Sequence, residues 1–204
     1  MAAVNRGKRF YEIKMENERK VGNTYGNQQY YDWMQKADSS SINCASCTIA
    51  YDLRRRGYDV SAPSQLSNEG MSLDNMLECY KTSIGTKPFI TIENSGLIAR
   101  EPFSERKISR IKKDILKKNP EGSYGILTTR WVGGGGHAQI WSIENGDVVI
   151  RDAQINEVDT LENRLEMSTD CVYVRTDNLK LTDKAYEYAM ATEVNGTRVT
   201  KKRK

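Results

Sequence analysis

Gly136-His137-Ala138-Gln139-Ile140-Trp141-Ser142-Ile143-Glu144-Asn145-Gly146-Asp147-Val148-Val149-Ile150-Arg151-Asp152-Ala153-Gln154 is the stretch that decides the fold. Two β-rich runs flank Asn145-Gly146, a dipeptide that favours a two-residue hairpin turn because both positions accept positive φ. The expected strands are His137–Ile143 and Asp147–Gln154. A two-residue turn fixes the register. Glu144 faces Asp147, Trp141 faces Ile150, Gln139 faces Asp152 and His137 faces Gln154. Opposed residues lie on one sheet face and side chains alternate along each strand. His137, Gln139, Asp152 and Gln154 therefore share a face, and a slip of one residue would move Asp152 to the other side.

Working outward, Tyr124 to Val132 reads as a strand, joined to the hairpin through the turn Gly133-Gly134-Gly135-Gly136. Cys171 to Arg175 reads as a fourth strand. Upstream the periodicity is helical. Asn43 is a favourable N-cap for a helix running from Cys44 to Arg56, whose basic last turn suits the C-terminal end of the helix dipole. Gly57 then stands where a helix-ending residue of positive φ is needed. Ser72 to Tyr80 reads as a short helix capped by Ser72. Ile108 to Lys118 reads as an amphipathic helix with Ile108, Ile111, Ile115 and Leu116 inward. Asp183 to Met190 reads as a last helix. Helices first and an antiparallel sheet afterwards make an α+β fold.

The chain has 204 residues, enough for one domain with a real core. Residues 1–40 form a polar N-terminal arm, 41–178 the domain, and 179–204 a C-terminal helix with a basic tail. No run of 18 apolar residues exists, which argues against a membrane-spanning helix. The charged segment Met1 to Lys20 is unlike a secretory signal, so the expected location is the cytoplasm where the chain is made, with any delivery to a target cell or packaging in a virion by another route. The net charge is +4. Basic residues gather in Arg54-Arg55-Arg56, in Lys112, Lys113, Lys117 and Lys118, and in Lys201-Lys202-Arg203-Lys204. Such runs read as solvated faces, and the tail offers nucleic acid weak, sequence-blind affinity at best. Of the four cysteines, only Cys44 and Cys47 form a close pair, whereas zinc ribbons need two pairs. No metal or cofactor is expected.

The chemistry lies at the helix start and the hairpin. A thiol in the first turn of a helix meets unpaired backbone N–H groups and the positive end of the dipole. Both favour thiolate, the reactive form. Cys44 follows the N-cap directly, and Cys47 lies one turn further in. Either could equally be a small buried hydrophobe, as free cysteine often is. His137 is the only histidine in the chain, so a cysteine hydrolase built from it has no other imidazole to use as base. It opens a strand directly after four glycines, where backbone can approach a substrate closely. Asp152 is its diagonal neighbour across the hairpin, roughly 7–8 Å away between backbones, and an aspartate there can hold the imidazole and fix its tautomer. A solvent-wetted polar face would explain the same four polar residues, but not the placing of the single histidine among them.

Asn43-Cys44-Ala45-Ser46-Cys47-Thr48-Ile49-Ala50, then Arg56-Gly57-Tyr58-Asp59-Val60-Ser61-Ala62, Gly136-His137 and Asp152-Ala153-Gln154, in this order and spacing, resemble the papain-fold toxin family of glutamine deamidase-like proteins. The resemblance covers roughly residues 42–155. It implies a papain-like fold, a nucleophile helix packed on an antiparallel sheet, and a Cys-His-Asp triad with Cys44 as nucleophile, His137 as base and Asp152 as the third member. Gln154 would support them, and Cys47 is the rival nucleophile. Backbone N–H groups near Cys44, or Ser41, would hold the oxyanion. The expected partner is a protein substrate with a target glutamine, together with an immunity protein or a virion component. The same machinery deamidates glutamine, cuts peptides or transglutaminates, and the resemblance favours deamidation. A non-catalytic virion or cargo protein keeping the fold is the alternative from another class.

Overall fold

The computed structural model describes residues 44–58, 60–62, 73–94, 101–132, 135–154, 156–186, 190–191, 193–194 and 197–198. The expected N-terminal arm, the caps Asn43 and Ser72, the glycines Gly133 and Gly134, and the basic tail 201–204 lie outside the described residues.

The hairpin forms as its turn chemistry requires. Asn145 and Gly146 have φ of 56° and 77°, the pair of positive values of a type I′ turn. The Glu121 carboxylate accepts from both turn amides, at 2.7 Å and 3.0 Å. Including this hairpin, the elements in chain order are α1 (Cys44–Arg55), β1 (Val60–Ser61), α2 (Leu73–Glu78), β2 (Tyr80–Lys81), β3 (Thr91–Asn94), α3 (Glu105–Lys118), β4 (Tyr124–Trp131), β5 (Gly136–Glu144), β6 (Asp147–Asp152), β7 (Glu157–Thr160), α4 (Leu161–Leu165), β8 (Ser168–Arg175) and β9 (Lys180–Leu181). A 3-10 turn (Asp183–Tyr186) and the short strands β10 (Met190–Ala191), β11 (Glu193–Val194) and β12 (Thr197–Arg198) follow. Six strands make one antiparallel sheet in the order β3-β8-β4-β5-β6-β7. The fold is α+β, with helices packed on that sheet. No helix among the described residues is long and apolar enough to cross a membrane.

The register of the hairpin is the one the turn predicts. Glu144 pairs with Asp147 and Trp141 with Ile150. The ladder ends earlier than expected, at Ile140 with Arg151, and β6 stops at Asp152. Gln154 lies past the strand in a turn, so it does not pair with His137. Its backbone amide donates to the Asp152 carboxylate at 3.0 Å instead, a side-chain-to-backbone turn that competes with continued strand.

α1 carries an unbroken buried run from Ala45 to Leu53. It packs with Ile126, Ala138, Ile140, Ala153 and Val174 in one cluster. α3 and α4 contribute Ile108, Ile111, Ile115, Leu161 and Leu165 to a second cluster with Leu127, Trp141, Ile143, Ile150 and Tyr173. Neighbours along β4 and β5 divide between the two clusters, as strand alternation demands, so the sheet is covered on both faces. α1 ends where the sequence places its stop. Gly57 has φ 88°, its N–H donates to Arg54 O at 2.9 Å, and the Tyr58 N–H donates to Leu53 O at 3.1 Å. These are the two bonds of a Schellman cap.

The arginine run at that end is not a solvated patch. Arg56 donates to both oxygens of Asp52, at 3.0 Å and 3.2 Å, and to the carbonyls of Leu179 and Thr176 at 2.8 Å and 2.5 Å. Asp52 is fully buried and also accepts from the Tyr80 hydroxyl at 2.6 Å. Arg54 donates to Val60 O at 2.6 Å, and the Arg55 guanidinium lies 3.8 Å from the centre of the Tyr124 ring. For Arg56 sequence distance hides two of the partners: Thr176 and Leu179 lie more than a hundred residues downstream.

Several elements depart from the sequence expectations. α3 begins at Glu105, because the Ser104 side chain caps it by accepting from the Lys107 amide at 3.3 Å. β8 begins at Ser168, three residues before Cys171. The helix expected over Asp183–Met190 is a 3-10 turn over Asp183–Tyr186, and Met190 belongs to β10, which pairs with β1. β9 pairs with β2, and Leu179, Leu181 and Ala185 pack into the α1 cluster.

Candidate active site

Cys44 is the first residue of α1 and is half-buried. Its thiol is hydrogen-bonded to the His137 side chain and receives the Ala138 backbone N–H. The β5–β6 ladder records no pair beyond Ile140 with Arg151. The start of α1 therefore meets β5 just past the end of that ladder, where the backbone of Ala138 is free of β6.

The His137 Nε2 lies 2.5 Å from Asp152 Oδ2, which leaves Nδ1 as the ring nitrogen for Cys44. The His137 and Asp152 side chains are 11% and 2% exposed, so their mutual bond is largely shielded from water. Three donors converge on Asp152: His137 and the Gln139 amide (3.3 Å) on Oδ2, and the Gln154 backbone N–H on Oδ1. The Trp131 ring stacks on the imidazole, with centroids 5.9 Å apart and planes 30° from parallel.

The electrostatics follow from this chain of contacts. Burial pushes the Cys44 thiol up, but the His137 hydrogen bond and charge, with the Ala138 N–H, outweigh it and hold the thiol below its ordinary value. Burial pushes the imidazole down, but the bonds to Asp152 and Cys44 outweigh that and raise it from 6.5 to about 10. Burial raises Asp152, and the His137 bond more than reverses this. The directions are those that favour a thiolate–imidazolium pair backed by a carboxylate, with Cys44 and His137 titrating as a coupled pair.

The pH dependence has a definite sign. Cys44 is depressed, so its thiolate is lost as pH falls through that lowered value. His137 is raised, so its proton is fully held below 6.5 and lost as pH rises through about 10. Iodoacetamide alkylation of Cys44, followed by mass spectrometry, is expected to rise with a midpoint below the ordinary thiol value of 9.0. A single rise centred at or above 9.0 would rule out the ion pair.

Of the predicted site residues, Cys44, His137 and Asp152 come together. Cys47 is 3% exposed and packs in the α1 cluster one turn along. Gln154 is present through its backbone amide. Sequence alone assigns no site role to Gln139 or Trp131. Gln139 was legible, since the hairpin register already set it opposite Asp152. Trp131 was not, because its contact depends on the return of the chain after the glycines. Gly136 also has a different reason for being glycine than substrate approach. A Cβ there would stand 2.4 Å from Thr129 O on the neighbouring strand.

No individual curated protein matches the chain. A family model described as papain fold toxin 1, glutamine deamidase, matches residues 42–156. That span holds α1 at its start and the β5–β6 hairpin with Asp152 and Gln154 at its end, and it covers more than half of the sequence. The chain belongs to the papain fold toxin 1, glutamine deamidase, family.

Proposed function

We propose that the chain is a cysteine-dependent amidohydrolase that converts a glutamine side chain of a protein substrate to glutamate and acts as a toxin by doing so. The observation that carries this reading is the His137 imidazole bonded to both the Cys44 thiol and the Asp152 carboxylate. The Cys44 thiolate attacks the carboxamide carbon, and the carbonyl oxygen takes the negative charge. Backbone N–H groups at the start of α1 stabilise that oxyanion. The tetrahedral adduct collapses, the C–N bond breaks, and the His137 imidazolium donates its proton to the departing ammonia. A water then gives a proton to the now neutral imidazole and attacks the thioester. Glutamate leaves and the thiolate–imidazolium pair is restored. Asp152 holds the imidazole in the tautomer that presents Nδ1 to sulfur.

The test compares wild type with Cys44→Ala and Cys47→Ala on a target-cell lysate, reading ammonia release and the conversion of glutamine to glutamate by peptide mass. Cys44→Ala is expected to abolish both. Cys47→Ala removes a core sulfur and is expected to keep the activity with some loss of stability. Full activity in Cys44→Ala would move the nucleophile to Cys47. An inactive wild type would favour a binding protein.

A further inference from the structure

We infer that Gln139 is a positioning residue for the Cys44–His137–Asp152 site: its side-chain amide holds the Asp152 carboxylate in the orientation that faces the imidazole and keeps it ionised. The inference rests on the proposed roles of those three residues.

Gln139 is 1% exposed. It sits on β5 opposite the buried Leu127 of β4. A carboxamide in such a place costs stability unless its polar atoms are bonded, and leucine or isoleucine would fill a β-strand site of that burial more cheaply. Its Nε2 donates to Asp152 Oδ2 at 3.3 Å, the same oxygen that takes the His137 Nε2 bond. An ionised carboxylate only accepts, so the amide must present its NH₂ group there, and the contact fixes which way the side chain is turned.

Two consequences follow from sharing one oxygen. The Gln154 amide pins Oδ1, and Gln139 with His137 pins Oδ2, so the carboxylate plane has no freedom to turn away from the ring. The His137 bond and the Gln154 amide oppose the burial that pushes the Asp152 carboxyl up, and the Gln139 amide adds a further donor to the charged form. Glutamine suits this role because it donates and cannot itself take up a proton at neutral pH. Removing that donor lets the Asp152 carboxylate turn from the ring, a less well-aimed partner, and the imidazole then holds its proton less tightly.

Because His137 is the only histidine, proton NMR of the single imidazole reads its titration without assignment, provided the protein carries no histidine tag. Gln139→Leu is expected to move that transition to lower pH by about one unit, a tenfold weaker hold on the proton. Alkylation of Cys44 by iodoacetamide at neutral pH should slow with it. Gln139→Met, which keeps the length and removes both polar atoms, is the second variant if the leucine protein fails to fold. In an Asp152→Asn background the same substitution should add no further shift, since Gln139 acts through the carboxylate. An unchanged transition in a folded Gln139 variant overturns the inference and leaves the three-residue site intact, as does an equal shift in the Asp152→Asn background. A wild-type imidazole that titrates near 6.5 overturns the site reading itself.

Discussion

His137→Ala is expected to lower glutamine deamidation by at least about 10⁴-fold while leaving the circular dichroism spectrum unchanged. The size of the effect follows from the number of roles one ring holds. The imidazole holds the Cys44 thiol below its ordinary value, where burial alone would push it up. In the proposed mechanism it also supplies the proton that lets ammonia leave, and no other histidine exists to replace it. Loss of the ring should therefore slow alkylation of Cys44 at neutral pH as well as turnover, a pairing that a defect in substrate binding would not produce. Asp152→Asn should fall less far, by about 10²- to 10⁴-fold, since it keeps the shape of the side chain but removes the charge that sets the tautomer. Both rates are read by ammonia release on the same lysate. A His137→Ala protein that retains a tenth of the wild-type rate would refute the assigned base.

The second large effect concerns stability. Asp52→Ala is expected to destabilise the fold by about 3–5 kcal/mol. Its carboxylate is fully buried and takes two bonds from Arg56 and one from Tyr80. Without it the Arg56 charge keeps only the carbonyls of Thr176 and Leu179, and the Tyr80 hydroxyl loses its acceptor. Removing one member of a buried pair costs far more than the pair itself is worth, because the survivor remains desolvated. For a domain of this size the loss corresponds to roughly 10 °C or more in melting temperature. Tyr80→Phe, which deletes one bond and leaves the ion pair, should cost about 1 kcal/mol. Thermal melts of the two variants test the ranking, and equal melting temperatures for Asp52→Ala and wild type would show that the network is not structural.

The network also shows why the site was more legible than the frame that holds it. His137, Gln139 and Asp152 lie within sixteen residues on one hairpin. A two-residue turn with two positive φ values leaves a single register, so the facing of these side chains is local information. The helix stop at Gly57 is local for the same reason. By contrast, periodicity places the start of α3 three residues late, because the Ser104 cap lies upstream of the first apolar residue. β3, β7 and α4 were not recognised, as each is short, and β3 and β7 occupy the two edges of the sheet, where one flank is unpaired and the alternation of buried residues is weak.

By itself the sequence determined the α+β class, the hairpin and its register, the helix that begins at Cys44 and its stop, and a histidine and aspartate on one face. Only the tertiary structure decided that Cys44 rather than Cys47 meets the imidazole. Both thiols lie near the start of one helix, and the choice depends on where α1 crosses β5, which no local pattern encodes. Only the tertiary structure, likewise, set β8 between β3 and β4 and closed Arg56 onto carbonyls more than a hundred residues away. These are contacts between segments distant in the chain, formed when two apolar faces of one sheet are covered together. Their partners are fixed by burial and shape and not by spacing.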